Sequence, residues 1–347
     1  MCLKAVRFHA HGGAEKLTYE EAPEPKIILP TDALIKLKAA ALNHNDLSMR
    51  RGVGGTEITL PHIPGSDGAG IVAEVGAEVN HVKPGDAVCL YPASGCGKCE
   101  LCVTGREIWC KEVRVLGARE HGTYAEYIRL PALSCFHVPA GLSFDEAAAF
   151  PSSYVTAWRM LVSNARLRPG EHVLILGVGG GVASAALQIA ARLGSHVIVT
   201  SSSDEKLALA GGLGAEHGIN DRDTDFSRKI RELTGKRGVD VVVDCVGGDN
   251  WARSLASLAK GGRLVTCGAM AGVNPQTDVR RIFWNHLKIF GSALGSRKEF
   301  QQVLNFIMVS QTRPIIDQVF PLSEARAAQQ RLEESKQFGK IVLRIDG

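Results

Sequence analysis

Aromatic side chains are scarce, at 6% of 347 residues, while glycine reaches 38. That balance suits α/β packing with tight turns rather than an all-β sandwich. Long hydrophobic runs are missing: none approaches the 18 apolar residues of a membrane-spanning helix. The opening stretch MCLKAVRFHAHGG lacks the apolar segment of a secretory signal, so a cytoplasmic protein is expected. Neither sign of charge dominates. Lys+Arg number 40 against 36 Asp+Glu, a net +4 spread along the chain. A nucleic-acid binder carries a clustered basic excess, and none is visible.

Apolar residues at 45% and charged residues at 22% are ordinary globular values. At roughly 150 residues per domain, the length accommodates about two. Residues 1–153 carry short alternating or β-branched runs broken by turn residues, such as ALIKLKAAAL (33–42), GIVAEVG (70–76) and GTYAEYIRL (122–130). Residues 154–293 differ: apolar runs at 172–177, 196–201, 217–220, 239–247, 263–268 and 287–292 alternate with helical patterns. Six such runs predict a parallel, doubly wound sheet. The tail, 294–347, holds helix and one β-like run, KIVLRI, with no further βαβ unit. It is expected to return to the first domain.

The stretch HVLILGVGGGVASAALQIAARLG reads as strand, glycine loop and helix. The strict G-x-G-x-x-G pattern fails at Val182, but Gly177, Gly180 and Ala183 keep a looser three-residue spacing. Glycines let backbone approach a pyrophosphate, and helix N-terminal amides stabilise it. At the end of the second run an acid would select NAD over NADP. Ser201 stands there instead, with Ser202, Ser203 and Lys206 following. Hydroxyls and an ammonium favour a 2′-phosphate, so NADP is preferred to NAD, although Ser203 or Asp204 also serves as an ordinary helix cap.

Five of nine cysteines fall between 89 and 110. Cys96, Cys99, Cys102 and Cys110 follow C-x2-C-x2-C-x7-C, which predicts one structural, four-thiolate Zn²⁺ site; free thiols or an iron–sulfur cluster are the rivals. Cys2, Cys135, Cys245 and Cys267 stand isolated and read as small hydrophobes.

Together the β-rich first domain, the four-Cys lobe, the loose glycine motif and the C-terminal GKIVL resemble the medium-chain dehydrogenase/reductase superfamily. The resemblance covers nearly the whole chain. It implies a GroES-like catalytic domain with a Rossmann domain, small-molecule substrates, and a homodimer or homotetramer. Zinc alcohol dehydrogenases of this superfamily bind a second, catalytic zinc. Their three ligand positions fall here on Asn43, Ser66 and Ser152. Amide and hydroxyl oxygens are poor zinc ligands. The Asn and the G-S-D motif instead resemble quinone oxidoreductases. A rearranged site built from His44, Asp46, His62 and Asp67 is the alternative.

The resemblance also implies cofactor contacts from Thr156, Gly180, Gly181, Val182, Cys245, Val246, Gly268, Ala269, Ser292 and Leu294. Lys340 aligns with a basic residue that binds cofactor phosphate. Without catalytic zinc, hydride addition to a C=C conjugated to carbonyl is less demanding than alcohol oxidation. Asn43 and Ser152 are candidate donors to the enolate oxygen. His44 is the candidate proton donor, oriented by Asp46 or Asp67. The expected activity is therefore an NAD(P)H-dependent reductase of enones, alkenals or quinones. A zinc-dependent alcohol or aldehyde dehydrogenase is the runner-up, and a non-enzymatic NADPH-binding protein a minor third.

Overall fold

Valine-rich runs that are apolar on both faces must be covered on both faces, and in this chain they are. The computed structural model describes residues 2–53 and 57–346. The chain divides into two compact units, one made of residues 1–152 with 296–347, the other of residues 153–295.

The second unit holds a six-stranded sheet in the spatial order His217–Asn220, His196–Ser201, His172–Ile175, Val239–Asp244, Leu258–Thr266, Lys288–Gly291. Every pairing in it is parallel. Numbered along the chain, the order is 3-2-1-4-5-6, the doubly wound arrangement of dinucleotide-binding folds. Val173, Leu174, Ile175 and Val241, Val242, Val243 are completely buried, as two-sided coverage demands. The helices Gly181–Arg192, Asp204–Gly211, Phe226–Leu233 and Asn250–Ser257 fill the connections. Because the strands are parallel, all six carboxyl ends lie along one edge.

The first unit is built on a mainly antiparallel sheet around the strand Asp32–Ala41. That strand pairs with Asp67–Val75 on one side. Its other side takes Tyr127–Pro131 towards one end and Lys340–Arg344 towards the other. The tail strand Ile316–Pro321 extends the sheet in parallel beyond Lys340–Arg344. Leu37, Ala40, Val72, Leu130, Ile341 and Leu343 share one buried core, so the tail is an integral part of this unit. Among the described residues no helix is long and apolar enough to cross a membrane.

Candidate active site, nucleotide turn and metal centre

Three strand ends converge in the first unit. Ala41 pairs with Asp67 on one side and with Val342 on the other. That register brings Asn43, Asp67 and Lys340 to the same end of the sheet. Ser152, in the first turn of the helix Pro151–Trp158, joins them. The carboxylate of Asp67 is fully buried. It accepts from the Ser152 backbone N–H at 2.9 Å and the Ser152 hydroxyl at 2.5 Å. Its other oxygen accepts from Asn43 Nδ2 and Lys340 Nζ, each at 2.9 Å. Lys340 also donates to Asn43 Oδ1 at 2.7 Å, and Asn43 Nδ2 to Ser66 Oγ at 3.1 Å. Both ends of the Asn43 amide are thereby fixed.

Asn43, Ser66 and Ser152, the three positions aligned with catalytic-zinc ligands, thus sit around one carboxylate. The Lys340 ammonium is bonded to that same carboxylate. The donor set fits zinc badly: one amide oxygen already bonded to a cation, hydroxyls, and a carboxylate whose charge Lys340 neutralises. Lys340, aligned by resemblance with a phosphate-binding basic residue, gives its ammonium to Asp67 and Asn43. Of the alternative ligand set, His62 packs against Phe8 and His121, with ring centroids at 5.6 and 5.4 Å. Among the described residues, the four lobe cysteines are the one cluster with metal-holding geometry.

Asp46 sits one layer below. Its Oδ2 accepts from the Asn43 backbone N–H and from Tyr124 OH, both at 2.9 Å. Burial pushes its carboxyl up to about 7. His44 moves the other way, to about 4, through burial first and the nearby Lys340 charge second. Burial therefore makes the His44 imidazole harder to protonate than a free one. Gly65 sets the approach of this segment. It has φ +102°, and a Cβ there would fall 2.4 Å from the Tyr124 ring and 2.5 Å from Thr123 Oγ1.

In the second unit the glycine turn follows the strand His172–Ile175. Gly177 adopts φ +67°, and its N–H reaches Thr200 Oγ1 at 3.4 Å. Gly180 is the N-cap of the helix opened by Gly181 and Val182. The nearest atom to an added Cβ at Gly180, Gly177 O, is 3.6 Å away. Ser201 ends the next strand, its Oγ accepting from Ser203 N–H at 3.2 Å. Ser202 is exposed, and Lys206 lies in the first turn of the following helix.

Cys245 and Val246, Gly268 and Ala269, and Ser292 and Leu294 follow three further strand ends along this edge. Thr156 is buried on the helix Pro151–Trp158. One residue that the sequence reading missed is Asp244. Its Oδ1 accepts from the Val246 and Gly247 N–H groups at 2.9 and 2.8 Å, which shapes the turn. The Ser292 hydroxyl is buried with no protein partner among the described residues. A buried orphan hydroxyl after the last strand and a glycine turn after the first, both at the carboxyl edge, fit a polar ligand laid along this edge.

The metal lobe begins and ends on the paired segments Ala93–Ser94 and Arg114–Val115. Sγ separations are 3.9 Å for Cys96–Cys102, 3.5 Å for Cys99–Cys102 and 3.8 Å for Cys99–Cys110. A tetrahedron with Zn–S bonds of about 2.3 Å has edges of about 3.8 Å. The four thiols therefore fit zinc. Backbone N–H groups of Cys96 and Glu112 donate to Cys110 Sγ at 3.5 and 3.4 Å. The N–H groups of Lys98 and Cys99 draw the Cys96 thiol down to about 6, favouring the thiolate.

A closed thiolate lobe and a doubly wound sheet with a glycine turn are the working parts of a zinc-binding dehydrogenase. Residues 29–140 match the alcohol dehydrogenase GroES-like domain, and residues 181–308 the zinc-binding dehydrogenase domain. A zinc-type alcohol dehydrogenase-like protein of Schizosaccharomyces pombe is 35% identical, covering 99% of this chain and 100% of its own. A quinone oxidoreductase of Pongo abelii is 29% identical over 98% and 97%. A crystal structure of an NAD-dependent alcohol dehydrogenase superposes with TM-score 0.95 at 39% identity, covering 99% and 100%. The chain belongs to the medium-chain dehydrogenase/reductase superfamily, and it is an oxidoreductase.

Proposed function

We propose that this chain is an NAD(P)H-dependent reductase of small carbonyl-conjugated acceptors (enones, alkenals or quinones), with one structural zinc and no catalytic zinc. The observation that carries the reading is the Lys340 ammonium bonded to Asn43 and Asp67, in the hydrogen-bonded cluster that also holds Ser66 and Ser152. Bound nicotinamide supplies the hydride.

The protein's part is to steady the oxygen on which charge collects. Asp67 holds Lys340 and Ser152 in place, and Lys340 fixes the Asn43 amide. Asn43 and Ser66 stand at the same cluster as further hydrogen-bonding groups. Donors held in a buried site are already oriented before charge develops. The proton for the α-carbon comes from water or from the His44 imidazole. Gly177, Gly180, Gly181 and Val182 would receive the pyrophosphate, with Cys245, Val246, Gly268, Ala269, Ser292 and Leu294 along the same edge and Thr156, on the helix Pro151–Trp158, as a further contact. Ser201, Ser202 and Lys206 support NADPH over NADH, against the NAD-dependent name of the relative with TM-score 0.95. A homodimer or homotetramer belongs to the same reading.

Alcohol dehydrogenase relatives favour a second reading, alcohol oxidation on rearranged zinc ligands. Zinc per chain and turnover separate the two. The first reading expects one zinc, lost in Cys96→Ser and retained in Asn43→Ala, with enone or quinone reduction exceeding alcohol oxidation. Two zincs, one lost in Asn43→Ala, would restore the alcohol dehydrogenase. NADH used tenfold more efficiently than NADPH would reverse the cofactor preference. Dinucleotide binding without turnover of any acceptor would leave a binding protein.

A further inference from the structure

Two thiols separated by 22 residues in the sequence meet in the second unit. Cys245 directly follows the strand Val239–Asp244, and Cys267 the strand Leu258–Thr266. Asp244 pairs in register with Thr266, so the two cysteines are the next step outward on neighbouring parallel strands. Their sulfurs are 3.5 Å apart, and both residues are half-buried. Neighbouring strands lie about 4.8 Å apart, within the Cα separation of roughly 4.4–6.8 Å that a disulfide spans. Bond formation therefore needs side-chain rotation rather than strand movement. The sequence reading took both cysteines as isolated hydrophobes. Their meeting depends on sheet register, which spacing along the chain does not reveal.

The backbone around them is closely knit. Ala271 N–H donates to Val246 O at 2.9 Å, and Gly248 N–H to Gly272 O at 3.1 Å. A Cβ on Gly247 would lie 3.1 Å from Ala269 Cα. These two loops carry Cys245, Val246, Gly268 and Ala269, which the proposed function assigns to the dinucleotide.

We propose that Cys245 and Cys267 are a redox-sensitive pair: a hydroperoxide closes them into a disulfide, which weakens dinucleotide binding, and thiol reductant reopens it. The effect on binding rests on the cofactor reading above; the disulfide does not. The Cys267 contact, with burial, pushes the Cys245 thiol well above its ordinary pKa, which makes Cys245 the poorer first nucleophile of the pair. The Cys267 thiol gives up its proton, and its sulfur attacks one oxygen of the hydroperoxide. The O–O bond breaks, the alcohol (water from hydrogen peroxide) leaves with the thiol proton, and a sulfenic acid forms. Cys245 sulfur then attacks that sulfur. The S–O bond breaks, the S–S bond forms, and the hydroxyl departs with the Cys245 proton as water. Two thiols lose two electrons, and the hydroperoxide gains them.

The test treats the full-length, zinc-loaded protein with hydrogen peroxide. Cross-linked peptides are mapped by mass spectrometry, zinc content is followed, and the Kd of NADH and NADPH is measured by fluorescence titration. A Cys245–Cys267 peptide is expected, with a Kd at least fivefold higher. Dithiothreitol should reverse both, and Cys267→Ser should show neither. No such peptide while zinc is retained would overturn the proposal, as would an unchanged Kd in cross-linked protein. An equal rise in Kd in Cys267→Ser would also overturn it, by assigning the effect to other cysteines. Reduced wild type that binds neither dinucleotide sinks the cofactor reading and the coupling with it. The cross-linked peptide then decides the disulfide separately.

Discussion

The Asp67 carboxylate and the Lys340 ammonium are both buried and face each other at 2.9 Å. Removing one partner of such a pair leaves an uncompensated charge, at a cost of about 3–5 kcal/mol, whereas removing both costs less than the sum. Lys340→Met and Asp67→Asn should therefore each destabilise strongly, with the double variant recovering part of the loss in urea unfolding. Additive losses would mean that the pair does not interact as described.

Asp46 and His44 make a second, opposite couple. Asp46, raised from 3.8 to about 7, keeps its proton in the native chain after the unfolded chain has lost it. Its contribution to stability therefore declines as pH rises from about 4 to 7. His44, lowered from 6.5 to about 4, binds its proton first in the unfolded chain, so its contribution declines as pH falls through the same window. The two slopes oppose. Between pH 4.5 and 7.5, removing His44 (His44→Gln) should tilt the Tm profile down with rising pH relative to wild type. Asp46→Asn should tilt it up. Parallel profiles for all three proteins would contradict both assignments.

At the scale of elements, the site depends on how the strand Asp67–Val75 is entered. Gly65 holds φ +102° with Tyr124 and Thr123 packed against its α-carbon. Thr123 in turn donates to Asp67 O at 2.7 Å, and Tyr124 to Asp46. Gly65→Ala therefore meets both a disfavoured backbone angle and a direct clash. Overpacking of this kind costs about 1–3 kcal/mol. The same change displaces Tyr124 and with it Asp46 and the Asn43 backbone, so kcat/KM should fall more than tenfold while zinc content is unchanged. Wild-type kinetics in a destabilised Gly65→Ala would show that this entry does not position the site. The zinc lobe is independent of it, because its ligands come from one continuous loop, 96–110, closed on its own strand pair.

On the scale of the whole molecule, local patterns in the sequence were sufficient for local features. Six apolar runs marked the strands of the second unit, and C-x2-C-x2-C-x7-C marked the thiolate cluster. Asn43, Asp67 and Ser152 were legible through motif resemblance. Features that depend on register between distant segments were not legible. Lys340 reaches Asp67, 273 residues away in sequence, only because its strand joins Asp32–Ala41 on the side opposite Asp67–Val75. Burial likewise lowers the His44 pKa, and the sequence does not reveal that burial.

The division into units has a consequence for truncation. Residues 153–295 are contiguous, with a core of Leu174, Ile198, Val242 and Leu264 that needs no other segment. Expressed alone, they should unfold cooperatively on heating. A chain ending at residue 295 lacks Lys340–Arg344 and Ile316–Pro321, so it bares an edge of Asp32–Ala41 and strands the buried Asp67 charge. That chain should aggregate, and supplying 296–347 in trans should rescue it by re-forming the sheet. A soluble, monomeric 1–295 with native-like circular dichroism would mean that the tail only decorates the first unit instead of completing its core.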